Sequence, residues 1–194
     1  MFSPVVVITV VVVVLVAIAA GWWVWRSRFA NYHFAAVHSG VLYRDGNRSL
    51  HEFRNAVRRA GIKTVVVLVD DNEIAKPPFT SELDYCRGNG IGVVRLPIQL
   101  GGWPTGEQVR QFLELTKKKE NQPVLIHCAQ GVRRTGMLVA AYQESVLGYD
   151  DQRTKQVILR FGHSDRSIND VKRFIDVYDP KLADVTMHLP VSSE

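Results

Sequence analysis

The residues of this 194-residue chain whose types and spacing could do chemistry are His127-Cys128-Ala129-Gln130-Gly131-Val132-Arg133-Arg134-Thr135-Gly136. An apolar run of strand length, Val124-Leu125-Ile126, precedes them, and the helical pattern of Met137 to Tyr142 follows. Open α/β sheets bind ligands at the carboxyl ends of their strands, which is where this spacing puts Cys128. A helix N-terminus offers unpaired N–H groups and partial positive charge to an anion. The loop Ala129-Gln130-Gly131-Val132 can turn its own N–H groups inward as an anion nest. Arg134 adds a planar, bidentate clamp for a tetrahedral oxyanion, while Arg133 is expected at the rim. The same positive field should depress the thiol of Cys128 from about 8.5 toward the range of roughly 3.5–7.5 seen at helix termini. A thiolate under a bound phosphate, set for in-line attack, is the chemistry these residues allow.

The elements that must hold this loop are readable on either side of it. Gly40 to Gly46 reads as a short strand running into a turn. Ser49 to Gly61 reads as a helix, with Ser49 as N-cap and Glu52 three residues on. Ile62 to Asp71 is an apolar strand of the buried parallel kind, ending in Asp70 and Asp71. Thr80 to Gly90 is a helix, Ile91 to Ile98 a strand, Gly101 to Glu120 a loop and helix, and Gln122 to Cys128 a strand. A helix follows over Thr135 to Gly148, with two more near 150–161 and 167–178. Helices alternating with apolar strands define an α/β domain with a central, mostly parallel sheet flanked by helices. No repeat and no second globular domain is visible.

His127-Cys128-x5-Arg134-Thr135-Gly136 resembles the HCx5R[ST]G signature of the cysteine-dependent protein tyrosine and dual-specificity phosphatases. The similarity runs over about residues 37–178, and "GVLYRDG" and "GIKTVVVLVDDNE" look like the opening of the compact bacterial dual-specificity-like domains. The resemblance implies that Cys128 is the nucleophile and forms a phosphocysteine, and that Arg134 grips the phosphoryl oxygens together with the loop residues 129–133. It implies that Thr135 supports the leaving thiolate and that His127 lies beneath the loop, ordering it and lowering the Cys128 pKa. It implies no metal and no organic cofactor. The expected substrate is a phosphorylated protein, with a phospholipid as the alternative. Cys86 is expected as a packed helix residue.

One element departs from the pattern. The family's general acid is an aspartate upstream of the cysteine, and the corresponding stretch here is Pro97-Ile98-Gln99-Leu100-Gly101-Gly102, which puts Leu100 in its place. General acid catalysis is typically worth about 10²–10⁴-fold. Three outcomes follow. Asp70 or Asp71, at the end of a neighbouring strand, or Glu73 beyond them, could supply the proton. The enzyme could be confined to good leaving groups. Or the domain could bind phosphorylated partners without turning them over, an outcome the intact Cys128, Arg134 and Thr135 argue against.

Residues 1–25 carry no charged side chain. That is long enough to cross a bilayer as a helix, which needs roughly 20 apolar residues. Trp22, Trp23 and Trp25 suit an interfacial belt, and Arg26 and Arg28 beyond them put the rest of the chain in the cytoplasm. A cleaved signal peptide fits less well, because the run lacks a basic n-region. The expected organisation is a transmembrane anchor over 1–25, a juxtamembrane linker over 26–36, the phosphatase domain over 37–180 and a loosely ordered tail over 181–194. Net charge is +5, contributed partly by Lys117-Lys118-Lys119 and Arg58-Arg59. These read as solvated helix faces, or as a surface held near anionic headgroups. No interleaving of aromatic and basic residues suggests nucleic acid. Two cysteines make no disulfide framework and suit a reducing compartment.

Overall fold

The computed structural model describes residues 11–22, 33–46, 49–161 and 165–182. The chain divides into two compact units, residues 1–30 and 31–194. In the first, residues 11–22 are helical. At 1.5 Å per residue these span about 18 Å, against a hydrocarbon core of about 30 Å. Among the described residues no helix is long and apolar enough to cross a membrane. The rest of the span expected over 1–25 falls on residues outside the described ones, as do most of the linker and the tail beyond Leu182.

The second unit is built on a five-stranded mixed sheet. Its strands are β1 (Ala35–His38), β2 (Leu42–Gly46), β3 (Thr64–Val67), β4 (Gly92–Arg95) and β5 (Val124–Cys128), in the order β1-β2-β5-β3-β4. β2 and β3 run parallel to β5, and β4 runs parallel to β3. Only β1 is antiparallel, paired to β2. The sheet is therefore mostly parallel, with one strand the sequence did not reveal. β1 has four residues, alternately half-buried and exposed, and two of them fall inside the segment expected as linker. So short an alternation is indistinguishable from loop.

Among the described residues of this unit, seven α-helices flank the sheet: α1 (Leu50–Ala60), α2 (Asp71–Ile74), α3 (Phe79–Gly88), α4 (Gly106–Lys117), α5 (Arg133–Ser145), α6 (Asp151–Ile158) and α7 (Asp165–Val177). α1 starts as expected, with the Ser49 side chain accepting from the Glu52 N–H. It buries Phe53, Ala56 and Val57, the i, i+3, i+4 stripe of an amphipathic helix. α4 opens on a reciprocal cap between Thr105 and Gln108. α2 was missed. Asp70, expected as the end of a strand, instead leaves the sheet and caps a four-residue helix through the N–H groups of Asn72 and Glu73.

Every residue of β3 and β5 is buried, as central parallel strands require. α5 is buried from Arg134 to Glu144, because it packs against the sheet on one side and α7 on another. Gly136 makes that possible: a Cβ there would stand 3.1 Å from Val171 of α7. The strand order sets the site. β5 is central, so the ends of β2 and β3 lie on either side of Cys128, with Gly46 in register with Cys128 and Val67 with His127.

Candidate active site

Cys128 is the last residue of β5, and Arg133 is the first of α5. The four residues between them turn through about one loop, and no side chain caps the helix they enter. The N–H groups of its first turn are thus left without intrahelical partners and face an anion site. Cys128 is 3% exposed. Its Sγ accepts the Gly131 N–H at 3.2 Å. Burial alone would push the thiol up. The Arg134 charge, the Thr135 hydroxyl and the N–H groups of Thr135 and Gln130 outweigh it and hold the thiol below its ordinary value. The Thr135 hydroxyl is fully buried and has no other hydrogen-bond partner among the described residues, which leaves it to the sulfur.

Gly131 has a left-handed φ of 67°. The loop at this point lies directly on the end of β2. A side chain at Gly131 would overlap the Asp45 carbonyl oxygen and stand 2.7 Å from the Gly46 Cα.

Arg134 is buried and its guanidinium is already oriented. Both of its terminal nitrogens bond the Glu73 carboxylate, Nη2 to Oε1 at 2.9 Å, and Nη1 also donates to the Ile98 carbonyl at 3.1 Å. Glu73 is held below the usual carboxylate range, chiefly by the hydrogen bond from Arg134. A carboxylate kept ionised in this way orients the arginine and is poorly suited to give up a proton. Glu73→Gln keeps the shape but loses the charge that aligns Arg134. Hydrogen bonds to charged groups are worth roughly 1.5–3 kcal/mol, so its kcat/KM should fall about ten- to a hundredfold. The measurement is steady-state kinetics beside a melting curve, since a fall through unfolding would lower Tm as well.

The two aspartates weighed as candidate proton donors are both engaged. Asp70 Oδ1 caps α2, and Oδ2 lies 3.4 Å from the Leu100 N–H. Its carboxyl is held low by the Glu73 N–H first, with Leu100, Asn72 and Arg134 adding to the effect. Asp71 is exposed and pairs with Arg95 at 2.9 Å. Leu100 itself is 77% exposed on its loop. Arg133, expected as a solvent-facing rim residue, is mostly covered. It pairs with Asp170 of α7 at 2.7 Å and donates to the Gly101 carbonyl on the Leu100 loop. Only the folded chain brings Glu73, Asp170 and Gly101 to the two arginines. All three lie more than thirty positions away, so no local pattern in the sequence could announce them.

His127 is fully buried between the rings of Phe53 and Phe79. Its pKa falls to about 4, by burial first and by Arg134 after it. The imidazole is therefore neutral, and the stabilisation of the Cys128 thiolate expected from it comes instead from Arg134, Thr135 and the loop N–H groups. Glu82 Oε2 lies 3.5 Å from His127 Nε2. Glu82 and Asp45 are each 2% exposed. Burial pushes both up to about 8, and for Glu82 the nearby Asp45 adds to it. Their unfolded values lie near 4, so the stability they contribute is complete below that pH and is lost as pH rises through about 8. His127 acts in the opposite sense, but only between about 4 and 6.5. The melting temperature should therefore drop between pH 6.5 and 9, and Glu82→Gln, which stays neutral, should flatten the drop. The same slope in both proteins would exclude this assignment.

A thiol held toward thiolate under an open helix N-terminus, with a pre-aligned guanidinium on a strand–loop–helix turn, defines a cysteine-dependent phosphatase of the tyrosine and dual-specificity superfamily. Residues 28–179 match the family model PTP-NADK, described as a DSP-PTPase phosphatase fused to NAD+ kinase, and the chain belongs to that family. It is 28% identical over 56% of its length to the dual specificity protein phosphatase TpbA of Pseudomonas aeruginosa strain UCBPP-PA14, covering 46% of that protein. It is 30% identical over 57% of its length to the inositol diphosphatase DSP4 of Arabidopsis thaliana, covering 54% of it. A probable chloroplastic NAD kinase 2 of Oryza sativa subsp. japonica is 30% identical over 44% of this chain, which spans 9% of that protein. The chain thus spans about half, or far less, of the curated relatives it matches. In fold it is similar to the Siw14 catalytic core, with a TM-score of 0.67 at 22% identity, over 79% of this chain and 89% of that one. It is also similar to P. aeruginosa TpbA, with a TM-score of 0.59 at 22% identity, over 79% and 95% of the two chains.

Proposed function

We propose that the chain hydrolyses phosphate monoesters on proteins through a phosphocysteine intermediate. The observation that carries this is the Cys128 sulfur, buried and held low in pKa where the uncapped end of α5 and Arg134 converge. Cys128 attacks phosphorus in line. The sulfur–phosphorus bond forms as the bond to the leaving oxygen breaks, and Arg134 and the N–H groups of residues 129–133 hold the three remaining oxygens. Water then attacks phosphorus, inorganic phosphate departs, and the Thr135 hydroxyl donates to the thiolate as it leaves. The test is turnover of p-nitrophenyl phosphate together with an acid quench that traps labelled phosphate on Cys128. No trapped label and no turnover would leave a domain that only binds phosphorylated partners.

With Leu100 where the family carries its acid, the leaving group must depart with little help. Phosphotyrosine, which releases a phenolate, is then preferred to phosphoserine. Leu100→Asp should raise turnover of a phosphotyrosine peptide by about tenfold or more, a part of the 10²–10⁴ that general acid catalysis is worth, and should barely change p-nitrophenyl phosphate. Equal effects on both substrates would remove the acid-loop assignment.

The exposed Leu100 also favours a second substrate class. A diphosphate releases a phosphate that is already a good leaving group and needs no acid. Two proteins this chain is similar to carry such names, an inositol diphosphatase and a PP-IP phosphatase. Turnover of a diphosphorylated inositol far above that of a phosphotyrosine peptide would move the assignment to that class. The apolar run at residues 1–25 supports the further proposal that the chain is anchored to a membrane, with its catalytic unit in the cytoplasm. Release of the full chain from membranes by alkaline carbonate would overturn that part alone.

A further inference from the structure

Arg44 lies in the middle of β2, one strand away from the nucleophile, and is 1% exposed. One of its terminal nitrogens, Nη2, donates to the Gly131 carbonyl in the phosphate loop. Its guanidinium lies over the Phe161 ring, 3.8 Å from the centroid. Nε and Nη1 are buried and have no hydrogen-bond partner among the described residues. No carboxylate is paired with it among the described residues. As a structural residue this is a costly arrangement, because a buried charge with unused donors is destabilising unless it is matched. Burial lowers the Arg44 pKa to about 10, and the charge that acts against this is the Cys128 thiolate.

The bond to Gly131 has a directional consequence. A phosphate cradle works only if successive peptide N–H groups face the anion, and each peptide that does so turns its carbonyl away. The outward carbonyls then need donors behind the loop. Arg44 supplies one for Gly131, and His33 Nδ1 lies 2.8 Å from the preceding carbonyl, that of Gln130. On the other side of the same loop, the Gly131 N–H points to the sulfur.

We propose that Arg44 is a positioning residue for the phosphate loop: it grips the Gly131 carbonyl from behind, which leaves the loop's N–H groups facing the sulfur and the incoming anion. Its charge serves the thiolate across the loop, as a second cation that never touches the substrate. This rests on the phosphatase assignment for its purpose, but not for its test, which reads anion binding and thiol chemistry and needs no turnover.

The experiment compares the full chain with Arg44→Met and Arg44→Lys. Inorganic phosphate binding is followed by calorimetry, the alkylation rate of Cys128 by iodoacetamide is followed against pH by mass spectrometry, and Tm is recorded for each. Arg44→Met has similar length and no charge. It should melt at or above the parent temperature, bind phosphate at least tenfold more weakly, and shift the alkylation midpoint upward. Arg44→Lys keeps the charge but not the planar grip. It should bind phosphate several-fold more weakly and leave the midpoint near the parent value. A folded Arg44→Met with parental phosphate affinity and midpoint would overturn the proposal. If Arg44→Met does not fold, Arg44→Lys decides, and phosphate binding of parental strength there would overturn it equally. A parent chain that binds phosphate, shows these differences and yet turns over no substrate would leave the role of Arg44 standing and remove the phosphatase assignment instead.

Discussion

Cys128→Ser is expected to abolish turnover of p-nitrophenyl phosphate while leaving the phosphate site occupied. The loss should be on the order of 10⁶-fold, the scale on which removal of an attacking side chain acts in enzymes of covalent mechanism. The reason lies in what the site is built to stabilise. Arg134, the Thr135 hydroxyl and the loop N–H groups bring a thiol down in spite of its burial. They cannot do the same for an alcohol, whose ordinary pKa is several units higher, so the serine stays protonated and is a poor nucleophile. Nothing else in the cradle changes. Arg134 remains fixed by Glu73, and the helix N-terminus remains open. Inorganic phosphate should bind the variant about as well as the parent, or better, because one negative charge beside the anion is gone. Residual turnover within tenfold of the parent would mean that water attacks phosphate directly in this site.

The residues proposed to react were legible in the sequence, and the residues that hold them were not. Cys128, Arg134 and Thr135 stand at fixed local spacing, on a strand–loop–helix turn whose apolar flanks declare both elements. The α/β alternation was equally open, because β3 and β5 are buried on both faces and read as unbroken apolar runs. What stayed hidden depends on chain segments meeting across the sheet. Glu73 is an acidic residue in a turn until α2 forms and delivers it to Arg134. Asp70 stood as a candidate proton donor because two aspartates after a strand carry no sign of which will cap a helix. Arg44 is the sharpest case. In "GVLYRDG" it occupies a strand position where an arginine would ordinarily face solvent. Only the parallel pairing of β2 with β5 turns it under the phosphate loop. His127 was expected beneath the loop as a group that lowers the Cys128 pKa. Its burial between two rings is a tertiary fact, and that burial makes it neutral.

Gly131→Ala should also be severely damaging, although less so than loss of the nucleophile, while adding one methyl group at a position that carries no reacting atom. Two costs combine. The φ of 67° lies in the left-handed region, which a residue with a Cβ enters at a cost of about 1–3 kcal/mol. The methyl would also stand against the backbone at the end of β2, overlapping the Asp45 carbonyl oxygen and 2.7 Å from the Gly46 Cα. Backbone at the end of a paired strand cannot swing aside as a flexible side chain would, so it is the loop that moves. A displacement of about 1 Å can cost on the order of 10²-fold in rate. Here the same movement also draws the Gly131 N–H off the sulfur and the Gly131 carbonyl off Arg44. Turnover should therefore fall by at least about 10²-fold. Phosphate affinity should fall with it, and the alkylation midpoint of Cys128 should rise. That pattern separates it from Cys128→Ser, which loses turnover but keeps the anion. A Gly131→Ala protein that loses turnover yet binds phosphate at parental strength would show that the loop tolerates the methyl, and that its seat on β2 is not what shapes the cradle.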